Sequence, residues 1–231
     1  MKRIFVSLAA LTLFTATALP ASAGVLFSQG TDPTLTGRWQ SETSNGSNGF
    51  NQAFDNFSLA SDGTINNVSW TGFTNPDFTP INGFTISIYA DNFDNSDSPG
   101  AVGTLLASTI ISGDAGQTPN ATPNVGNFGV FNFSTAITPF QATAGTTYWI
   151  SIVGDPAKNS GDVFWSFAAP GAGDGSFNTY DGNFVTAVGT DMAFTLSNSV
   201  VPEPSGLMLD GSGLLVLAGF GRRLLAQKLR K

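Results

Sequence analysis

Between residues 24 and 200, apolar and polar side chains alternate in short runs. The clearest is at residues 83–90, where Phe84, Ile86 and Ile88 fall on one side and Thr85, Ser87 and Tyr89 on the other. That period of two is the signature of a strand with one buried face. The same pattern predicts strands at residues 25–28, 54–59, 65–71, 104–111, 128–134, 146–153, 163–168 and 193–197. The breaks carry turn chemistry: Asp62-Gly63, Asn82-Gly83, Ser98-Pro99-Gly100 and the glycine-rich stretch 171–175. No part of this region sustains an apolar repeat of helical period. Nine short strands in roughly 180 residues predict a single all-β domain over residues 24–200, a β-sandwich of the jelly-roll or Greek-key kind.

Both ends break the alternation. Lys2 and Arg3 precede an apolar run at residues 4–19, and Ala21-Ser22-Ala23 offers small residues on either side of Ser22. This predicts a signal-peptide helix over residues 1–23, cut between Ala23 and Gly24, with signal peptidase and the Sec export machinery as partners. At the other end, Val201-Pro202-Glu203-Pro204-Ser205 leads into residues 206–221, which are apolar or small except for Asp210. Arg222, Arg223, Lys228, Arg230 and Lys231 follow. The two prolines fix φ, lack N–H donors and hold their neighbours extended, so Glu203 is offered on backbone that joins neither helix nor sheet. At about 1.5 Å per residue the run reaches only about 24 Å, short of the roughly 30 Å hydrocarbon core. Leu224, Leu225 and Ala226 extend it when Arg222 and Arg223 reach back to the interface. The prediction is a transmembrane helix whose basic end stays cytoplasmic, with everything before Val201 outside.

This order of motif, apolar helix and basic end resembles the PEP-CTERM sorting signal of Gram-negative bacteria. The chain differs from that pattern in Asp210 and in a basic end spread over ten residues. The resemblance covers residues 201–231 and implies recognition by a membrane-embedded exosortase, with Glu203 as the recognition residue and processing near Pro202 to Pro204. It further implies a transient inner-membrane anchor, followed by residence at the cell surface or in an extracellular matrix of exopolysaccharide, as in a biofilm. The body is similar to the β-sandwich domains that often precede such tails, through residues 54–59, 68–72, 84–89, 144–152 and 193–196. These are strand-core patterns, so they bear on fold and not on activity. The implied protein is a substrate of the exosortase and not an enzyme.

Composition narrows the chemistry. From residue 24 to 205 only Arg38 and Lys158 are basic against fifteen acidic side chains, a net charge of −13. Such a surface repels nucleic-acid phosphates and anionic headgroups. With no His and no Cys, the chain can build neither a Ser-His-Asp nor a Cys-His nucleophile, nor a zinc site of ordinary composition, nor a disulfide framework. Asp91, Asp94 and Asp97 lie in one acidic loop and are candidate Ca²⁺ ligands through hard oxygen donors. The loop lacks the glycine and the spaced glutamate of an EF-hand, so the expectation is a solvated hairpin tip and no cofactor.

Among the four tryptophans, Trp70 and Trp165 share parity with Val68 and with Val163 and Phe167, which predicts burial. Trp149 alternates against Tyr148, Ile150 and Ile152, and Trp39 sits between Arg38 and Gln40, so these two are the candidate outward rings for stacking on sugar faces. That gives a glycan-binding module as the alternative function. A secreted glycoside hydrolase is a third reading, since it needs only two carboxylates at a fixed separation; the body offers many Asp and, outside the sorting motif, only Glu42 as a glutamate.

Overall fold

The computed structural model describes residues 24–43, 50–74, 81–92, 102–156, 163–170, 175–180, 183–188 and 190–198. Wherever the sequence alternates, the backbone is a strand. The nine expected segments become β1 (Gly24–Gln29), β3 (Asn51–Ser58), β4 (Gly63–Thr74), β5 (Ile81–Asp91), β6 (Val102–Ser112), β8 (Phe128–Ala142), β9 (Thr147–Pro156), β10 (Val163–Ser166) and β13 (Phe194–Asn198). Four further strands have no alternating signature: β2 (Arg38–Gln40), β7 (Thr118–Val125), β11 (Ser176–Tyr180) and β12 (Asn183–Val188). Three of these, β2, β7 and β12, are edge strands. An edge strand needs only one hydrogen-bonded neighbour and tolerates proline, as β7 does at Pro119 and Pro123. No helix occurs among the described residues.

The strands form two antiparallel sheets. The six-stranded sheet runs β12-β11-β3-β9-β5-β6. In the seven-stranded sheet β4 is central: β8 lies along one side with β7 beyond it, while β13 and β10 share the other side, followed outward by β1 and β2 respectively. Successive strands repeatedly switch sheets, as β3 to β4, β4 to β5, β8 to β9 and β9 to β10 do.

The inner faces meet in one core. From the six-stranded sheet come Phe57, Phe84, Ile86, Ile88, Ile150 and Ile152, and the face of β5 read from the sequence is the face that is buried. From the other sheet come Val68, Trp70, Phe133, Trp165, Phe194 and Leu196. Trp70 joins the halves: it stacks on Phe133 at 5.0 Å and meets the edge of Phe84 at 5.0 Å. Offset and edge-to-face pairs of this kind add about 0.5–1.5 kcal/mol each beyond the area they bury. Gly72 follows two positions later on the same side of β4, where a Cβ would stand 2.8 Å from the Phe164 carbonyl oxygen and 3.1 Å from the Phe133 ring. The missing side chain lets β10 close against β4 without displacing that stack.

Carboxylates and amides also bridge the sheets. Glu42 is wholly buried; its Oε2 accepts from the Val163 amide at 2.8 Å and its Oε1 from Gln40 Nε2 at 2.7 Å. Its backbone exchanges hydrogen bonds with Asn51 at the start of β3. Ser41 adds a second tie, its hydroxyl donating to the Ile152 carbonyl at 2.6 Å.

Candidate functional site

The structure corrects the reading of Trp149. Its parity is as expected, opposite to Tyr148 and Ile150, but the face it occupies is covered: Trp149 is only 3% exposed. The cause is Phe177 on β11, which lies 5.3 Å from the Trp149 ring and stacks on Phe54 at 4.9 Å. The outward face of the six-stranded sheet therefore carries a second apolar cluster of Phe54, Trp149 and Phe177, with Tyr89 and Val102 packed against it. Trp149 is not an exposed stacking platform. Trp39 is half-buried, edge-on to Phe167 at 5.9 Å, and its indole N–H is enclosed without a hydrogen-bond partner among the described residues.

Two residues given different roles from the sequence meet. Asp91 Oδ1 accepts from Trp149 Nε1 at 3.0 Å, so this carboxylate orients an indole. Asp94 and Asp97 lie outside the described residues, and among the described residues no three carboxylates converge as a metal site would need. Calcium and magnesium at equal millimolar concentration are expected to shift the melting temperature by the same amount, through screening of the acidic charge. A calcium-selective rise that disappears in Asp94→Asn would overturn this expectation. The sorting motif Val201 to Ser205, the basic residues Arg222, Arg223, Lys228, Arg230 and Lys231, and Ala21 and Ala23 also lie outside the described residues. Gly24 lies inside them, opening β1 with its backbone N–H donating to Asn198 Oδ1 at 2.7 Å.

The seven-stranded sheet presents a different outer surface. β1, β4, β7, β8, β10 and β13 contain no charged residue; in the strands of this sheet Arg38 alone is charged. Its guanidinium lies over the rings of Phe128, Phe73 and Phe164, at 4.3, 5.0 and 5.3 Å from their centroids. Beside this aromatic end the face turns to hydroxyls and amides. Ser28 and Thr195 bond at 2.8 Å, Ser69 donates to Ser134 at 2.9 Å, and Thr31 and Thr71 bond at 2.7 Å.

A depression of about 180 Å³ opens in this surface, lined in part by Thr31, Ser69, Thr71, Asn132 and Thr195. Sequence reasoning passed over all five. The available signal was the run of uncharged polar residues at outward parity on β4 and β8. Asp32, next to Thr31 in the chain, turns its carboxylate into its own loop, accepting from the Thr34 hydroxyl at 2.7 Å and the Thr34 amide at 2.9 Å. Those bonds, the hydroxyl first, hold its pKa below the usual carboxylate value. The stabilisation they give is present at neutral pH and is lost in acid as the carboxylate takes up a proton; exposure to solvent keeps it small.

No protein-family model matches the chain, and no curated protein is detectably similar to it.

Proposed function

We propose that this is an exported, exosortase-processed component of a bacterial cell surface or extracellular matrix, non-catalytic, whose working part is a β-sandwich of the jelly-roll or Greek-key kind. One observation carries the reading: the order of Pro202-Glu203-Pro204, a short apolar run and a basic end, set directly after the domain. The last strand among the described residues ends at Asn198 and Val201 opens the motif, while at the other end Gly24 begins β1 immediately after the Ala21-Ser22-Ala23 cleavage signal. A domain bounded so closely by two handling signals suits a product that is exported, held briefly at the inner membrane and released to the surface. Its partners are then signal peptidase and the Sec machinery, the exosortase, and the membrane through the tail. The non-catalytic reading is supported by Glu42, whose two carboxylate oxygens are occupied by structural donors in the interior.

The test is replacement of Glu203 by Ala in the native host. The variant is expected to be exported normally and to accumulate as a full-length, membrane-held form, read by intact mass and cell fractionation. Processing of Glu203→Ala at the parental rate would sink the proposal.

A further inference from the structure

We infer that the depression on the outer face of the seven-stranded sheet is a binding subsite for one ring of an uncharged polysaccharide. The site arises from the sheet's topology. β13 pairs with β4 over residues 67–70, and β10 takes over the same side of β4 at residues 72–74. At Thr71 neither strand is opposite, and the interrupted ladder leaves the hollow, bordered by Gly30 and Thr31 where the chain leaves β1.

The hydrogen-bond directions there are forced. Thr71 Oγ1 donates to Asn132 Oδ1 at 3.2 Å, and the same oxygen accepts from Asn120 Nδ2 at 2.8 Å. A hydroxyl has one proton, so Thr71, having given its own to Asn132, must accept from Thr31 across their 2.7 Å contact. Two of the valences that remain at the hollow belong to this network. Thr31 Oγ1 keeps its capacity to accept, and the Asn132 amide nitrogen, which makes no bond among the described residues, keeps its capacity to donate. An uncharged acceptor beside an uncharged donor suits neighbouring hydroxyls of a sugar ring, because each hydroxyl both donates and accepts. A cation would use only the acceptor. An anion would use only the donor and would meet the field of a body carrying a net −13.

Size points the same way. At about 180 Å³ the hollow is smaller than the roughly 300–1,000 Å³ of clefts that enclose a whole small ligand, so it fits one unit of a chain. Weak contacts of this kind become effective when a polymer offers many identical units. The inference deepens the surface-component reading by naming what the domain holds in a matrix. Binding by the purified protein does not require processing, so the two readings can fail separately.

The test is native affinity electrophoresis of the full-length protein in mild detergent, through gels containing dextran, hydroxyethyl cellulose or galactomannan, with alginate as the anionic comparison. At least one neutral polymer is expected to retard the protein, and alginate is not. In the retarding gel Asn132→Asp and Thr31→Val should each weaken binding about fivefold, the worth of one neutral hydrogen bond, while Gln141→Ala at the far end of β8 should bind as the parent does. Asn132 is exposed, so its variant should keep the parental melting temperature and report on binding alone. The inference is overturned if no neutral polymer retards the protein, if alginate alone does, or if both variants bind like the parent. Loss of binding in Trp39→Ala with full retention in Asn132→Asp would overturn it as well.

Discussion

Replacing Asp55 with Asn, a change of one atom in a side chain with no solvent exposure, is expected to destabilise the domain by about 3 kcal/mol. Asp55 faces inward from β3, and both its oxygens accept bonds. Oδ1 takes the Asn56 amide at 2.7 Å, while Oδ2 takes the Met192 amide just before β13. The Gln29 amide at the end of β1 finds its partners only with its nitrogen toward Met192 O at 2.8 Å and Asp55 Oδ2 at 2.9 Å. One carboxylate thus ties β3 of the six-stranded sheet to the β1 and β13 end of the other. An asparagine supplies one acceptor and one NH₂ group, so whichever way it turns, a donor meets a donor. Losing the buried charge removes a desolvation cost, but each orphaned buried donor costs about 1–3 kcal/mol, and at Oδ2 there are two. In a domain of this size the loss corresponds to roughly 6–12 °C in melting temperature. Gln29→Met on the Asp55→Asn background should recover part of it, because contacting residues couple by about 0.5–3 kcal/mol. A thermal melt of Asp55→Asn indistinguishable from the parent would show that Asp55 does not clamp the two sheets.

Trp165→Ala should cost as much or more. Trp165 is 1% exposed, its ring meets the edge of Phe194 at 5.7 Å, and its Nε1 donates to the Ala193 carbonyl at 2.9 Å. It is also the register residue of β10, standing between Trp39 on β2 and Gly72 on β4. Truncation removes a large buried side chain and leaves a cavity that strands on both sides prevent from collapsing, for which about 3–5 kcal/mol is the usual cost. Trp165→Phe keeps most of the ring, loses the bond to Ala193 and should cost less than half as much. Urea denaturation of the pair separates packing from hydrogen bonding; equal losses for both variants would contradict the cavity argument.

The core was legible in the sequence and the depression was not, for the same reason. Phe84, Ile86 and Ile88 announce themselves because burial of one face imposes a local period of two. Trp149 shows the limit of that signal: its parity is readable, but whether the opposite face meets water depends on Phe177, from a strand that alternation does not reveal. β2, β7 and β12 escape because an edge strand can be held by backbone bonds without an apolar stripe. In the depression, Thr31 and Thr71 are 40 positions apart, and Thr71 and Asn132 are 61. Only strand order brings them together, and no window along the chain contains them. The proposed handling signals are the reverse case: they are legible as short contiguous strings, as signals that membrane machinery would read before any fold exists have to be.

The pairing of β1 with β13 has a consequence in time. Gly24 and Asn198, 174 positions apart, are partners, so during synthesis the first of the described strands must wait for the last of them. Long-range strand pairing of this kind is slow, since the entropy of closing the loop is lost before the contacts that reward it form. Until β13 arrives, one side of β4 at residues 67–70 and the open edge of β1 both lack their neighbour. On an exported chain, completion of the sheet would coincide with the moment residues beyond 198 clear the channel. Strand closure would then act as a ratchet against backsliding, and it would deliver the Pro-Glu-Pro segment to its processing enzyme only once the domain behind it can be finished.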